Sequence, residues 1–148
     1  MGLPEQDDYR IAPFNERKLI LESDSISLWY YPELKLVHHR MLQTPTSEAF
    51  RELLSEGAYL VERFRAPKWL SDDRGNTVLR EPDEEWAQQE WLPRVLRGGF
   101  RYWAIVPPAA AIGKLNMRRL AAEHARYGIV SSVERTPEAA FDWLKKQV

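Results

Sequence analysis

Apolar and small or polar residues alternate along Ser25-Ile26-Ser27-Leu28-Trp29-Tyr30-Tyr31. A period of two predicts a strand. Arg17 to Glu22 precedes it as a first strand. Pro32-Glu33 makes a turn, and Leu34 to Met41 returns as a third strand, the hairpin partner of the second. The period then changes. Phe50, Leu53, Leu54, Gly57, Leu60, Val61 and Phe64 recur at helical spacing, with Arg51, Glu52, Ser55, Glu56, Glu62 and Arg63 on the other face. Such a stripe predicts an amphipathic helix against a core. Thr44-Pro45-Thr46-Ser47 supplies its start and Pro67 its stop.

Lys68-Trp69-Leu70-Ser71 is a short buried strand, followed by a loop from Asp72 to Arg80. Pro82-Asp83-Glu84-Glu85 opens a second helix, its acids suited to the positive end of the helix dipole. Pro93 predicts a kink or break within it, and Gly98-Gly99 its end. Phe100 to Val106 is the next strand. A third helix is expected from about Ala109 to Tyr127, capped by Gly128. Ile129 to Val133 is the last strand, and Thr136-Pro137-Glu138 opens the closing helix. Strands alternating with helices predict an α/β protein: one mixed sheet with parallel strands, an N-terminal strand and hairpin, and about four helices. Trp69-Leu70 and Trp103-Ala104-Ile105 fall on its central strands.

The chain has 148 residues, which suits one domain over residues 17–148 behind a loose leader of residues 1–16. A net charge of −1 with interspersed signs argues against nucleic acid as a partner. No apolar run is long enough for a membrane span. The acidic start, Met1-Gly2-Leu3-Pro4-Glu5-Gln6-Asp7-Asp8, is unlike a signal peptide, so a cytoplasmic location is expected. With no cysteine, the chain has no disulfide, thiol nucleophile or cysteine-ligated metal. His38 and His39 are neighbours on a strand, point to opposite faces and cannot chelate one metal together. No metal and no cofactor are expected.

Ligands collect at the carboxyl ends of strands in open α/β sheets. That directs attention to Ser71, Asp72, Asp73, Arg74 and Asn76. The two acids suit either a cation or phosphoryl site or a turn in which a carboxylate pairs with Arg74. Trp86 and Trp91 lie about 140° apart on an ideal helix, so either one is partly exposed or Pro93 reshapes the helix. Both join the candidate surface as aromatic anchors.

This order of elements resembles the STAS domain and its SpoIIAA-like relatives. Tyr102-Trp103-Ala104-Ile105-Val106 is similar to their late core strand, and Glu138-Ala139-Ala140-Phe141-Asp142-Trp143-Leu144 to their closing helix. The pattern also resembles small bacterial proteins with a Trp-Leu-Ser-Asp segment and a Trp-rich second helix. The resemblance implies a right-handed β/α superhelix, shared with the lipid-binding Sec14-like domains. It also implies a regulatory serine after the central strand; here Asp72-Asp73-Arg74-Gly75 stands at that junction, with Ser71 before it and Thr77 after. The expected function is therefore non-catalytic: interaction with a protein partner, an unidentified protein or a second copy, through Ser71 to Thr77 and Trp86. Binding of a small apolar ligand or lipid between helices and sheet is the alternative. An enzyme using Asp72 and Asp73 is the third.

Overall fold

Alternation fixes which side chains share a face, and the two faces of this sheet differ in chemistry. The computed structural model describes residues 16–76, 80–108, 118–119 and 121–148. The expected leader apart from residue 16, Thr77, and the expected helix start near Ala109 lie outside the described residues. Six strands form one mixed sheet in the order β1 (Lys18–Glu22), β2 (Ile26–Tyr31), β3 (Leu36–Met41), β4 (Lys68–Asp72), β5 (Tyr102–Val106) and β6 (Val130–Val133). The first two pairings are antiparallel and the last three parallel. The α/β architecture therefore follows the pattern of apolar residues. Spatial order equals chain order, so the chain advances steadily across the sheet.

Helix α1 (Ser47–Phe64) crosses from β3 to β4. The Thr46 hydroxyl accepts from the Ala49 N–H at 3.1 Å, satisfying one of the orphan donors of the first turn. Its stripe is buried as patterned at Phe50, Leu53, Leu54, Gly57, Leu60 and Val61. Phe64 departs from the pattern. It is the last helical residue, stays 41% exposed, and stacks on Tyr30 at 4.8 Å instead of entering the core. Gly57 is needed for packing: a Cβ there would lie 2.2 Å from Cη2 of Trp69, so only glycine lets α1 approach that ring.

The β4–β5 crossover is helical in three pieces. Helix α2 (Glu81–Trp86) runs into a π-helical turn (Ala87–Trp91), and α3 (Leu92–Gly98) follows. In the wide turn the Leu92 N–H reaches the Ala87 carbonyl, five residues back. Pro93 follows at once and has no N–H to offer the regular ladder. The bulge resolves the spacing of the two tryptophans, because a turn closed by an i→i+5 bond brings residues five apart closer to one face than a regular helix does. Trp91 is buried, and Trp86 is half-buried against the same core.

α1, the α2–α3 unit and the helical residues 121–125 cover one face, over Ile26, Leu28, Val37, Met41, Trp69, Trp103 and Ile105. Helix α4 (Pro137–Lys145) covers the other, packing Ala140, Phe141 and Leu144 on Trp29, Leu36, Leu70 and Ala104. Among the described residues no helix is long and apolar enough to cross a membrane.

Candidate functional site: an aromatic cavity at the strand ends

On the α1 face, three parallel strands carry a repeated motif. Val37, Trp69 and Trp103 stand in register, and the next inward row is His39, Ser71 and Ile105. Each indole reaches one strand sideways and one row onward. Trp103 Nε1 donates to Ser71 Oγ at 2.8 Å, and Trp69 Nε1 donates to His39 Nδ1 at 2.9 Å. The chain then leaves β4, and Asp73 sets a carboxylate oxygen 2.7 Å from His39 Nε2. This fixes the tautomer. An indole nitrogen can only donate, so Nδ1 must present its lone pair and the ring proton sits on Nε2, directed at Asp73. The line Trp69–His39–Asp73 uses both ring nitrogens.

The loop after β4 is pinned over this row. The Asp73 N–H donates to the Val106 carbonyl, and the Gly75 N–H to the Met41 carbonyl. A Cβ on Gly75 would lie 2.4 Å from backbone atoms of Met41 and Leu42, so this close approach requires glycine. Asn76 closes the loop with its N–H on the Asp73 carbonyl.

These side chains form the floor of a partly enclosed cavity of about 70 Å³. Met41, Phe50 and Leu54 make one wall, while Ala87, Gln88 and Trp91 of the π-helical turn make the roof. His124 packs against Trp103, ring centres 4.8 Å apart, and closes the far side. Glu84 stands at the rim, ion-paired with Arg119. Among the described residues no lysine or arginine lines the cavity.

Two polar groups in this lining lack a hydrogen-bond partner among the described residues: Trp91 Nε1 and His124 Nδ1. Both side chains are at least nine-tenths buried. Burial presses the His124 pKa down to about 4, against a smaller opposite push from Glu123, so its ring is neutral at physiological pH. His124 Nε2 lies 3.3 Å from the amide nitrogen of Gln88, which donates; Nδ1 therefore carries the ring proton.

The candidate residues divide between the two faces. Ser71, Asp73, Asn76 and Trp91 meet in the cavity. Asp72, one residue from Asp73, points the other way, fully buried, and holds Arg74 through two 2.8 Å bonds from its guanidinium. Arg74 is exposed. Trp86 lies outside the cavity, with the Arg51 guanidinium 5.4 Å over its ring. Among the cavity residues that escaped the sequence reading are His39, Trp69, Gln88, Trp103 and His124. For three of them a signal existed. His39, Trp69 and Trp103 fall on the same strand face as Ser71 once the period-two pattern is carried across the parallel strands.

On the opposite face, His38 meets Tyr31 at 3.1 Å, and burial, with nearby arginines adding, holds its pKa well below the usual value. Among the described residues there is no group of three His, Asp or Glu placed to hold a metal ion. Comparison with family models, curated proteins and solved structures found no match for the chain.

Proposed function

We propose that this is a non-catalytic binding protein that takes a small, partly polar ligand into the aromatic cavity. The observation that carries this reading is the pair of buried, unpartnered groups, Trp91 Nε1 and His124 Nδ1, in one lining. Buried polar groups are normally satisfied, and a chamber that leaves two open is complementary to something that satisfies them. The small volume and polar row favour a compact ligand over a lipid chain.

Support for a non-catalytic role comes from how the polar groups of the described residues are already committed. His39 has both nitrogens committed, to Trp69 and Asp73. Ser71 accepts from Trp103, and among the described residues no base is hydrogen-bonded to its hydroxyl. A protein-partner surface over the same loop has less support, because Ser71, Asp72, Asp73 and Asn76 are buried. The STAS-like segments, Tyr102–Val106 and the stretch from Glu138 to Leu144, pack in the sheet and in α4, so that likeness speaks for architecture.

The test is a thermal-shift screen of compact amines, amides and aromatic heterocycles against wild type, Asp72→Ala and the cavity-filling Ala87→Leu. A ligand at a hundred times its Kd adds about 2.7 kcal/mol of stability, enough to move Tm by several degrees. Compounds that raise Tm for wild type and Asp72→Ala, but not for Ala87→Leu, are expected. Equal stabilisation of the filled variant, or no stabilising compound, would overturn the reading.

A further inference from the structure

We propose that the ligand is a small organic cation bearing a hydroxyl or carbonyl oxygen, an amino alcohol in its simplest form, with its charge on Asp73. This rests on the binding function proposed above and names its substrate class.

Asp73 is 4% exposed, and a carboxylate so placed needs a countercharge. Its side-chain partner is His39 Nε2, and the indole N–H on His39 Nδ1 keeps that ring neutral. His39 therefore supplies a hydrogen bond and no charge. The nearby arginines are engaged elsewhere. Arg74 forks onto Asp72 across the sheet, Arg51 pairs with Asp83 at 3.2 Å, and Arg119 pairs with Glu84. Among the described residues no lysine or arginine lines the cavity, which leaves the positive charge to be supplied by what enters.

The rest of the chamber suits a cation of organic kind. Trp69, Trp91 and Trp103 present electron-rich rings, which attract alkylammonium groups and offer a hard metal ion no oxygen ligands. Trp91 Nε1–H and His124 Nδ1–H ask for an acceptor. A carboxylate there would face Asp73, and among the described residues no lysine or arginine lines the cavity to offset the repulsion. A neutral oxygen satisfies both N–H groups without that cost. The two demands together define a molecule with a positive end and an uncharged oxygen end.

The experiment is calorimetric titration of the full chain with choline, ethanolamine and 3,3-dimethylbutan-1-ol, the uncharged isostere of choline. At least one cation is expected to bind about tenfold or more tightly than the isostere, a difference of 1.4 kcal/mol or more. Asp73→Asn, checked for folding by circular dichroism, is expected to erase that preference. Trp91→Phe, which keeps an aromatic face but removes the indole N–H, is expected to weaken choline more than tetramethylammonium, which has no oxygen. An isostere that binds as well as the cations would overturn the charge assignment and leave the cavity function standing. Cation binding undiminished in a folded Asp73→Asn would do the same. If neither the cations nor the isostere binds and the thermal screen is also empty, the binding function fails with it.

Discussion

Trp69→Ala is expected to destabilise the protein by about 3–5 kcal/mol, the range for truncating a buried tryptophan. Trp69 is 1% exposed and sits at the crossing of three structures. Its six-membered ring fills the gap that Gly57 leaves in α1. It meets Trp91 in a T-shaped arrangement, with centroids 5.2 Å apart, and Phe100 at 6.2 Å. Its N–H holds His39, which in turn holds Asp73. Trp69→Phe separates packing from the hydrogen bond. The phenyl ring keeps most of the apolar contact but leaves His39 Nδ1 buried without a donor, a cost of about 1–3 kcal/mol. Denaturant titration of the two variants is the measurement. A loss under about 1 kcal/mol for Trp69→Ala would show that the ring is not structural in the way described.

Acid is expected to destabilise the fold well before the carboxylates are fully protonated, through its buried histidines. The folded-state pKa of His124 is held down to about 4 by burial, while an exposed histidine titrates near 6.5. The unfolded chain therefore takes up its proton first as pH falls. Stability contributed by the neutral ring is complete above about pH 6.5 and is lost progressively down to about 4. That interval of roughly two and a half pH units corresponds to about 3 kcal/mol. His38, fully buried on the opposite face with its pKa also lowered, works in the same direction. Urea titrations at pH 7 and pH 4 on wild type and His124→Gln test this. The variant is expected to lose less stability on acidification than wild type by about 3 kcal/mol. Parallel losses would contradict a neutral buried His124.

Much of the architecture was legible because each element obeys one period. The alternation in Ile26–Tyr31 and the stripe from Phe50 to Val61 state both the element and its buried face. The end of β4 was legible as a functional region for the same reason: apolar Trp69 and Leu70 give way at once to polar residues. What could not be read was the direction of each side chain there. Asp72 and Asp73 look alike in sequence, yet the pleat continues through them. One carboxylate goes to Arg74 on the α4 side and the other to His39 in the cavity.

The roof was illegible for a different reason. Trp91 points inward only because the π-helical turn before Pro93 widens the helix, which an ideal spacing cannot anticipate. His124 reaches the cavity through long-range packing against Trp103 and Gln88. The cavity also does not arise where open sheets usually form one. Strand order never reverses in this sheet, so no crevice opens at a switch point. The space exists instead between the pinned β4 loop and the widened helical turn.

The most direct measurement of the central claim is a two-dimensional ¹⁵N–¹H spectrum of the six tryptophan indole N–H groups, recorded during titration with a stabilising compound from the thermal screen. The Trp91 resonance is expected to move with saturation, since its N–H gains a partner that it lacks among the described residues. Trp29 and Trp143, which belong to the opposite face, are predicted to stay in place. Perturbation confined to Trp29 and Trp143, with Trp91 unmoved, would contradict a ligand site in the cavity.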